Sequence, residues 1–535
     1  MKLIENASAE KLRGGFYTPE PIASFILKWG INGSNDYEIL EPSCGDGVFL
    51  EQLRENDHTF ESVTAIEFDE GEAEKAEQID LNNKTVINSD FHLYCNETTR
   101  RFDLVVGNPP YIRYQYFDKE QQIEAGKIFE RAGLKYSKLT NAWVSFVVGS
   151  SLLLKENGKI GFVIPAELLQ VSYAKQLREF LARFYNKINI ISFKKLVFPD
   201  IQQEVVLLLC EKNNSNSHRI EHLELTDASE LSSLDVNRLR SPTKKIDFKS
   251  NKWTYYFLEQ EEINFLETIA KEKNIPTISD YANVEVGITT GANKYFTVPY
   301  STVKFYQLED FAKPMVGRSV QVNSVVFNKK DWLKNQQTEA KANLLVFPPK
   351  EKLNGYLGVK DYLQYGKSIG IHKGYKTSIR DDWFVIPSIK LSEALFIRRN
   401  NLYPRLILNE ANAYTTDTMH RVFIKEKTDK KAFIGSFYNS LSLAFSEIVG
   451  RSYGGGVLEL MPSEAGKILL PYQPENTDLL ATIDKMMRED KPIDEILKIT
   501  NQQILKKGYG FTDKEISLAD SIWKKLSSRR LNRNK

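Results

Sequence analysis

Residues 102–111 of the chain read Phe-Asp-Leu-Val-Val-Gly-Asn-Pro-Pro-Tyr, an apolar run followed by a stiff, polar turn. The run Phe102–Gly107 is typical of a parallel strand that is buried on both faces of a sheet. Such a strand would deliver Asn108-Pro109-Pro110-Tyr111 to the carboxyl edge of the sheet, where open α/β sheets bind their ligands. The stretch therefore predicts an α/β fold with a ligand site at residues 108–111.

The four residues after this run suit recognition of an exocyclic amine on a flat ring, such as adenine N6. The side-chain carbonyl of Asn108 and the backbone carbonyl of Pro109 can each accept a hydrogen bond from one amine N–H. The amine lone pair would then leave conjugation with the ring and point at an electrophile. Pro109 and Pro110 fix φ, and Tyr111 offers a face on which a base can stack. Taken alone, the tetrapeptide could also be a rigid loop without chemistry.

The region around this stretch alternates short apolar runs with helical patterns from Glu38 to about Leu225, as βαβ units do. The predicted strands are Glu38–Glu41, Ser62–Glu67, Thr85–Asn88, Asp103–Val106, Gly158–Ile164, Ile188–Phe193 and Glu204–Glu211. Helical patterns cover Val48–Arg54, Asn141–Lys155 and Ser172–Phe184. The sequence thus predicts a doubly wound parallel sheet that ends in an antiparallel strand after Pro199.

A second candidate site follows the first predicted strand, in Glu41-Pro42-Ser43-Cys44-Gly45-Asp46-Gly47. Paired glycines at a strand-to-helix turn let the backbone approach a ligand closely. Glu67 ends the next strand, 22 positions after Gly45, at the spacing of an acid that binds ribose hydroxyls. Leu50 stands where a pyrophosphate-binding turn has its third glycine, so the motif favours adenosine without pyrophosphate. Asp90-Phe91 follows the third strand, where a carboxylate can accept the adenine amine and a ring can pack on the purine.

Length and composition limit the classes of protein to which the chain can belong. A chain of 535 residues is long enough for two or three domains. Its hydrophobic content of 41% and charged content of 27% are ordinary for a globular protein, and no apolar stretch approaches a membrane span or a signal-peptide core. The three cysteines, Cys44, Cys95 and Cys210, argue against a disulfide scaffold or a zinc cluster and fit a reducing cytoplasm.

The net charge of +2 conceals an asymmetry along the chain. Residues 1–110 contain 9 Lys and Arg against 21 Asp and Glu, a net charge of −12. The remaining residues contain 63 against 49, a net charge of +14. The acidic N-terminal part suits the binding of a small, partly cationic cofactor, and the basic part that follows suits the binding of a polyanion. Chance segregation of solvated charges is the alternative interpretation.

Taken in order, these motifs resemble those of gamma-class DNA adenine-N6 methyltransferases of the restriction-modification type. The motifs are Gly15-Phe16-Tyr17-Thr18-Pro19, the turn Glu41–Gly47, Glu67, Asp90-Phe91 and Asn108-Pro109-Pro110-Tyr111. The resemblance covers residues 1–212 with specific motifs, and it continues more loosely through Val286–Gly291 and Tyr453–Leu458. It implies a class I S-adenosylmethionine-dependent methyltransferase sheet that transfers a methyl group to adenine N6 of double-stranded DNA by base flipping.

The resemblance also implies a role for each motif residue, with no metal involved. Thr18 would contact the methionine end of S-adenosylmethionine, and its amino-acid portion would be held by Glu41, Ser43, Gly45 and Gly47. Glu67 would bind the ribose. The adenine would be contacted by Phe68, Asp90 and Phe91. For the target base, the catalytic loop would comprise Asn108, Pro109, Pro110 and Tyr111, with Pro110 on the cofactor side. Phe198 matches an aromatic residue that packs on the flipped base together with Tyr111. A core phenylalanine at a strand end is the alternative for Phe198.

Other methyltransferases remain as competitors. Cytosine C5 methylation needs a cysteine nucleophile in a Pro-Cys context, and none of the three cysteines follows a proline. Cytosine N4 methylation uses similar chemistry, usually with Ser in place of the Asn, and remains an alternative. Release-factor glutamine methyltransferases and some RNA adenine methylases also carry Asn-Pro-Pro-Tyr, but they are generally shorter and lack a large basic C-terminal region. A DNA-binding specificity subunit would leave the cofactor motifs unexplained.

These features together predict two domains. Residues 1–248 would form the catalytic domain, and residues 249–535 a mixed α+β DNA target-recognition domain with a helical C-terminal segment. The expected partner is double-stranded DNA, with a cognate restriction endonuclease acting at the same site, because the chain shows no nuclease signature of its own. The enzyme is expected to be a monomer in a bacterial or archaeal cytoplasm.

Overall fold

The computed structural model describes residues 17–31, 36–56, 58–113, 115–198, 203–213, 217–236, 243–246, 252–453 and 455–532. They form two compact units, of which the first contains the residues up to Ile263 and the second most of the chain from Asn264 to Leu531. The predicted domain boundary at residues 248 and 249 lies outside the described residues. So do Gly15, Phe16, Pro199 and Gly454 of the motifs and segments discussed above.

A nine-stranded sheet forms the centre of the first unit. Its strands are β1 (Glu38–Glu41), β2 (Ser62–Glu67), β3 (Lys84–Asn88), β4 (Phe102–Gly107), β5 (Leu154–Pro165), β6 (Lys187–Phe193), β7 (Val205–Glu211), β8 (Arg219–Leu225) and β9 (Lys244–Lys245). Their order across the sheet is β3-β2-β1-β4-β5-β7-β6-β8-β9. The seven strands predicted from sequence are confirmed, with ends that differ by a few residues.

The parallel part of this sheet brings the candidate motifs to one edge. Strands β3, β2, β1, β4 and β5 run parallel in that spatial order. The order reverses at β1, since β2 and β3 lie on one side of it and β4 and β5 on the other. Ligands of doubly wound sheets bind at this switch point, beyond the carboxyl ends of the strands. The glycine turn after β1 and the tetrapeptide after β4 are therefore neighbours.

The antiparallel strand lies elsewhere in the sheet than the sequence suggests. β7 is antiparallel as predicted, but it lies between β5 and β6, and β8 and β9 extend the sheet beyond β6. Val205–Cys210 are all buried, as an interior position requires. β8 mixes polar and apolar residues, so the periodicity of its sequence does not mark it as a strand.

Helices cover the sheet, and aspartates begin several of them. The helices of this unit are α1 (Glu20–Gly30), α2 (Val48–Glu55), α3 (Glu70–Gln78), α4 (Phe91–Glu97), α5 (Lys119–Arg131), α6 (Ala142–Leu152), α7 (Glu167–Gln170) and α8 (Lys175–Phe184). Asp69, Asp90 and Asp118 accept backbone N–H groups at the starts of α3, α4 and α5. α6 is apolar around its whole circumference, and almost all of it is buried. The next helix, α9 (Gln260–Glu272), begins in the first compact unit and ends in the second.

The second unit contains three further sheets. Their strands are β10 (Ala282–Val286), β11 (Thr297–Val298), β12 (Ala312–Val316), β13 (Val326–Phe327), β14 (Asn343–Leu345), β15 (Ala394–Ile397), β16 (Arg399–Asn400), β17 (Leu406–Asn409), β18 (Tyr414–Thr415), β19 (Met419–Ile424), β20 (Arg451–Ser452) and β21 (Leu458–Glu459). The sheet orders are β10-β19-β15-β17-β13, β11-β14-β12-β18 and β16-β21-β20. This unit has the mixed α+β character that the sequence predicts.

The helices of the second unit become dominant toward its C-terminal end. They are α10 (Ile278–Tyr281), α11 (Asn293–Phe296), α12 (Tyr300–Phe305), α13 (Lys329–Gln336), α14 (Leu357–Ser368), α15 (Tyr375–Ser378), α16 (Lys430–Phe437), α17 (Ser440–Val449), α18 (Pro462–Ala465), α19 (Leu479–Arg488), α20 (Ile493–Thr500) and α21 (Asp513–Leu531). Across the parts of the chain that the structure describes, none of the helices is long and apolar enough to span a membrane.

A buried ion pair fixes the last helix to the rest of the second unit. Arg530 on α21 and Glu447 on α17 have side chains that are 1% and 3% exposed. The guanidinium donates to both carboxylate oxygens, at 2.7 and 3.1 Å. It also donates to the backbone carbonyls of Asn401, Leu402 and Gly456. The pair is thus fully hydrogen-bonded, as burial of two charges requires.

Candidate active site

The turn between β1 and α2 exposes its backbone because of two glycines in the left-handed region. Gly45 has φ +54° and Gly47 has φ +96°. A Cβ on Gly47 would lie 2.4 Å from Cδ1 of Ile79, so packing against the end of α3 requires glycine there. A Cβ on Gly45 would meet nothing within 4 Å. The backbone at Gly45 is therefore open to a ligand, as the sequence predicts for a cofactor turn.

Glu41, the last residue of β1, is a buried carboxyl that lacks a full set of partners. It is 1% exposed, and its Oε2 has no hydrogen-bond partner among the described residues. Burial, followed by the neighbouring carboxyls of Glu67 and Asp46, raises the pKa of Glu41 well above its ordinary value. An unpaired buried carboxyl is costly unless a cation or a donor reaches it. The position thus fits the ammonium group of an amino-acid ligand.

Glu67 is oriented by the glycine turn itself. Its Oε2 accepts the N–H of Gly45 at 2.9 Å, and its Oε1 accepts the N–H of Asp69 at 2.9 Å. Burial raises the pKa of Glu67, and these backbone hydrogen bonds offset part of that rise. Each carboxylate oxygen keeps a second lone pair, which a ribose hydroxyl could use. The adjacent Phe68 is 68% exposed, so its ring is available to a ligand.

Asp90 follows β3 and accepts hydrogen bonds through both carboxylate oxygens. Oδ1 accepts the N–H groups of His92 and Leu93 at 2.8 and 3.1 Å and lies 3.2 Å from Nδ1 of His92. Oδ2 accepts Nε2 of Gln121 at 2.7 Å. Burial by itself would raise the pKa of Asp90, but His92, Leu93 and Gln121 outweigh it and lower that pKa. The carboxylate is therefore favoured in its ionised form, and the amide of Gln121 occupies its Oδ2.

Phe91 lies in the protein interior next to Asp90. It is 2% exposed, and its ring stacks on Phe146 of α6 with centroids 4.8 Å apart. Phe91 is the first residue of α4, and its side chain points into the interior between α4 and α6, close to Gly149. A contact between Phe91 and the cofactor stays a prediction.

The loop Asn108–Tyr111, which the sequence predicts to be catalytic, starts where β4 ends. The hydroxyl of Ser43 donates to the backbone carbonyl of Asn108 at 3.4 Å, which joins the loop to the glycine turn. Pro109 is buried, and Pro110 is half-buried. Tyr111 donates its hydroxyl to the carbonyl of Val163 on β5 at 3.2 Å, and burial raises its pKa. The structure thus brings the tetrapeptide and the cofactor turn together at one edge of the sheet.

Phe198 lies in the hydrophobic core and not on an open surface. It is 8% exposed within the cluster of α1 and the sheet, and Tyr111 packs against the same cluster. Neighbouring apolar side chains cover its ring in this arrangement, and a contact between Phe198 and a flipped base stays a prediction. The following residues, 199–202, lie outside the described parts of the chain.

The segment before α1 closes one side of the glycine turn. Thr18 is 6% exposed. It lines a cleft of about 410 Å³ with Tyr17, Pro19, Glu20, Pro21, Asp46, Val48 and Glu51. Thr18 and the turn residue Asp46 therefore border one cavity, as expected if both approach the same end of a ligand. Within the described residues, no group of three or more His, Cys, Asp and Glu side chains is arranged to hold a metal ion.

Two polar residues of the site do not follow from the sequence. His92 is buried between Asp90 and Ser145, whose Oγ lies 2.8 Å from its Nε2. Gln121 reaches Asp90 from α5. The spacing of Asp90 and His92 could have indicated a local contact, but nothing in the sequence links residues 90 and 121.

Five basic residues of the second unit divide into two groups. Lys373 and Lys376 are exposed, and they flank Tyr375, which is 82% exposed. Three arginines are instead held by the protein: Arg380 by the carbonyl of Thr290, Arg421 by Val286 and Glu285, and Arg451 by Glu464. The lysines are therefore better placed for phosphate contacts.

Fold and site together define the class. A doubly wound sheet with the order 3-2-1-4-5-7-6, a glycine turn after β1 and acids after β1, β2 and β3 is the architecture of a class I S-adenosylmethionine-dependent methyltransferase. Two family models match the chain: the Eco57I restriction-modification methylases over residues 29–198, and the C-terminal domain of the type II methyltransferase M.Eco57I over residues 250–505. The chain belongs to the Eco57I-type, gamma-class restriction-modification methylases and is an enzyme that methylates DNA.

Individual relatives agree with this assignment. The type II methyltransferase M.AccI of Acinetobacter calcoaceticus is 25% identical over 470 residues, 84% of each chain. M.BanIII of Aneurinibacillus aneurinilyticus is 24% identical over 435 residues, 70% of this chain and 72% of the relative. The fold is also similar to a nuclease-deletion mutant of the Type ISP restriction-modification enzyme LlaGI in complex with a DNA substrate mimic, with a TM-score of 0.53 at 12% identity. That match covers 91% of this chain and 55% of the LlaGI chain.

Proposed function

We propose that the enzyme transfers the methyl group of S-adenosylmethionine to N6 of adenine in double-stranded DNA. The observation that supports this proposal is the hydrogen bond from the Ser43 hydroxyl to the backbone carbonyl of Asn108, which joins the loop of residues 108–111 to the glycine turn. The unpartnered Oε2 of Glu41 supports an amino-acid ligand there, and the exposed ring of Phe68 supports a flat base. When bound, S-adenosylmethionine supplies an electrophilic sulfonium methyl group.

The chain's own residues would act by positioning. The Asn108 side chain and the Pro109 carbonyl accept the two N–H groups of the adenine amine, so that its lone pair points toward the cofactor side of the loop. The Tyr111 ring stacks on the base, a contact that contributes about 1–3 kcal/mol per base in single-strand binders. Pre-organised hydrogen bonds and exclusion of water then supply most of the rate enhancement.

The target base has to leave the duplex for this chemistry. In paired DNA, one N6–H of adenine is bonded to thymine and neighbouring bases cover both faces of the ring, so a loop can neither accept both N–H groups nor stack on the base. Extrusion costs a few kcal/mol for unstacking and unpairing, and stacking on Tyr111 offsets part of that cost. Base flipping is therefore part of the proposal.

Residues 249–535 are proposed to recognise the target sequence. Their basic balance suits phosphate contacts, and the exposed Lys373, Tyr375 and Lys376 offer both charge and a stacking ring. The matched LlaGI structure is a DNA complex, which agrees with a DNA substrate for this fold. A restriction endonuclease acting at the same site is the proposed partner, and the enzyme is proposed to act as a monomer.

Modification-sensitive sequencing tests the proposal directly. DNA from cells that express the wild-type chain should carry N6-methyladenine at one position of one recurring sequence. DNA from cells that express Asn108→Ala should lack it. N4-methylcytosine in place of N6-methyladenine would overturn the base assignment, and methylated RNA with unmodified DNA would overturn the substrate.

A further inference from the structure

The adenine-side carboxylate Asp90 is occupied within the protein by a donor from α5. Among the described residues, the one partner of its Oδ2 is Nε2 of Gln121, at 2.7 Å. The other oxygen, Oδ1, already accepts two backbone N–H groups and faces His92. Oδ2 is therefore the oxygen that an incoming amine can reach, and Gln121 holds the position that this amine would take.

The chemistry of the two donors is alike. A primary amide N–H and an adenine N6–H both donate one hydrogen bond of similar length and direction to a carboxylate. Asp90 has a side chain that is 14% exposed, so little space is left for a second donor beside Gln121. A buried carboxylate is costly without a donor, and Gln121 satisfies it when no ligand is bound.

We propose that Gln121 is a placeholder for the cofactor's adenine amine. In the free enzyme Gln121 donates a hydrogen bond to Asp90, and on cofactor binding the adenine amine displaces Gln121 and donates in its place. This rests on the proposed function, in which Asp90 accepts that amine. Gln121 then acts through Asp90 as a positioning residue that lowers the affinity for adenosyl ligands, because their amine must displace it, and leaves the affinity for purines without a 6-amino group unchanged. A ligand lacking the amine gains nothing by displacing Gln121, because the exchange would leave Oδ2 without a donor.

The competing explanation is that Gln121 only fastens α5 to α4. Neighbouring contacts make this a real alternative, since Asn96 donates to Glu124 and Arg131 donates to Asn96 and to the carbonyl of Cys95. The two explanations predict opposite effects on binding. Loss of a competitor strengthens binding of the adenosyl ligand, whereas loss of a structural contact leaves Asp90 less well placed and weakens it.

Isothermal titration of the full-length enzyme with S-adenosylhomocysteine and with its inosyl analogue separates them. Gln121→Ala should bind S-adenosylhomocysteine about three- to tenfold more tightly, the scale for removing one competing hydrogen bond. Its affinity for the inosyl analogue should not change. Gln121→Met, which keeps the length of the side chain but cannot donate, should behave in the same way and guards against a folding defect in Gln121→Ala.

Gln122→Ala is the matched control, because Gln122 donates to the carbonyl of Phe117 and does not touch Asp90. It should leave both affinities at the wild-type values. Weaker or unchanged binding of S-adenosylhomocysteine to both Gln121 variants would overturn the placeholder role while leaving the proposed function intact. A wild-type enzyme that binds the inosyl analogue as tightly as S-adenosylhomocysteine would instead overturn the adenine site at Asp90.

Discussion

The hydroxyl of Ser43 donates to the backbone carbonyl of Asn108 across 65 residues of chain. The bond joins the turn that would hold the cofactor to the loop that would hold the base. Ser43→Ala should therefore lower kcat, by up to about tenfold for the loss of one neutral hydrogen bond. Cofactor affinity should change less, because the glycine backbone is untouched. Single-turnover kinetics and titration with S-adenosylmethionine would measure both effects, and a loss confined to cofactor affinity would contradict this coupling.

Asn108→Ala should remove methyl transfer while leaving cofactor binding nearly intact. Asn108 is proposed to face the base, so only alignment of the amine is lost. A fall in rate of about 100-fold or more is expected, the scale for removing one pre-organised electrostatic group. A tritium-transfer assay measures the rate, and calorimetry with S-adenosylmethionine serves as the control. Turnover near the wild-type rate in this variant would disprove the role of Asn108.

Glu41→Gln should have opposite effects on stability and on cofactor binding. The folded pKa of Glu41 is raised above its ordinary value of 4.5, so the free protein loses stability as pH rises from about 4.5 toward the folded pKa. The slope of that loss is about 1.4 kcal/mol per pH unit. Gln cannot ionise, so the variant should unfold at a higher temperature than wild type near neutral pH, and their difference should vanish below about pH 4.

The same variant should bind S-adenosylmethionine more weakly, because the ammonium group loses its carboxylate partner. Thermal unfolding between pH 4 and 8, with calorimetry at neutral pH, checks both expectations. Glu74→Gln on the exposed face of α3 is the matched control, and neither measurement should change for it. If Glu41→Gln were less stable than wild type at neutral pH and bound S-adenosylmethionine with wild-type affinity, the role of Glu41 would be structural only.

Lys373→Ala combined with Lys376→Ala should weaken DNA binding and reduce its dependence on salt. If each lysine neutralises one phosphate, the slope of log K against log salt concentration should become less negative by about 0.9 for each. Fluorescence anisotropy over a series of salt concentrations gives this slope. The exposed pair Lys329 and Lys330 on α13 provides a control of equal charge. Equal changes in the slope for the two lysine pairs would show that they act through the overall positive electrostatic field of the protein and not through defined phosphate contacts.

Arg530→Met should destabilise the second unit strongly, because Glu447 would keep a buried charge without a partner. The expected loss is about 3–5 kcal/mol. Adding Glu447→Leu to the same chain should restore much of it, since both charges are then gone. Urea unfolding of the two variants measures this. Calorimetry with S-adenosylmethionine should show unchanged binding, and loss of cofactor affinity in either variant would contradict a role confined to the second unit.

The fold could be predicted from sequence where one physical signal dominates. The interiors of β1, β2 and β4 are mostly apolar and buried because both faces of the sheet are covered, and Asp69, Asp90 and Asp118 mark helix starts. Strand β8 does not stand out in the sequence because half-exposed strands carry mixed residues. In the site, Gly45 and Glu67 follow from spacing, but the burial of Phe91 and Phe198 depends on which side chains pack around them. The contact between Asp90 and Gln121 depends on how α4 and α5 pack, which no local pattern specifies.

The pairing of Glu447 with Arg530 also bears on how the chain is made. Its partners are 83 residues apart, and the later one is close to the end of α21. At about 5–20 residues per second, a nascent chain would carry Glu447 without its partner for roughly 4–17 s. The second unit would therefore remain incomplete during that interval, and its final packing would wait for synthesis of α21.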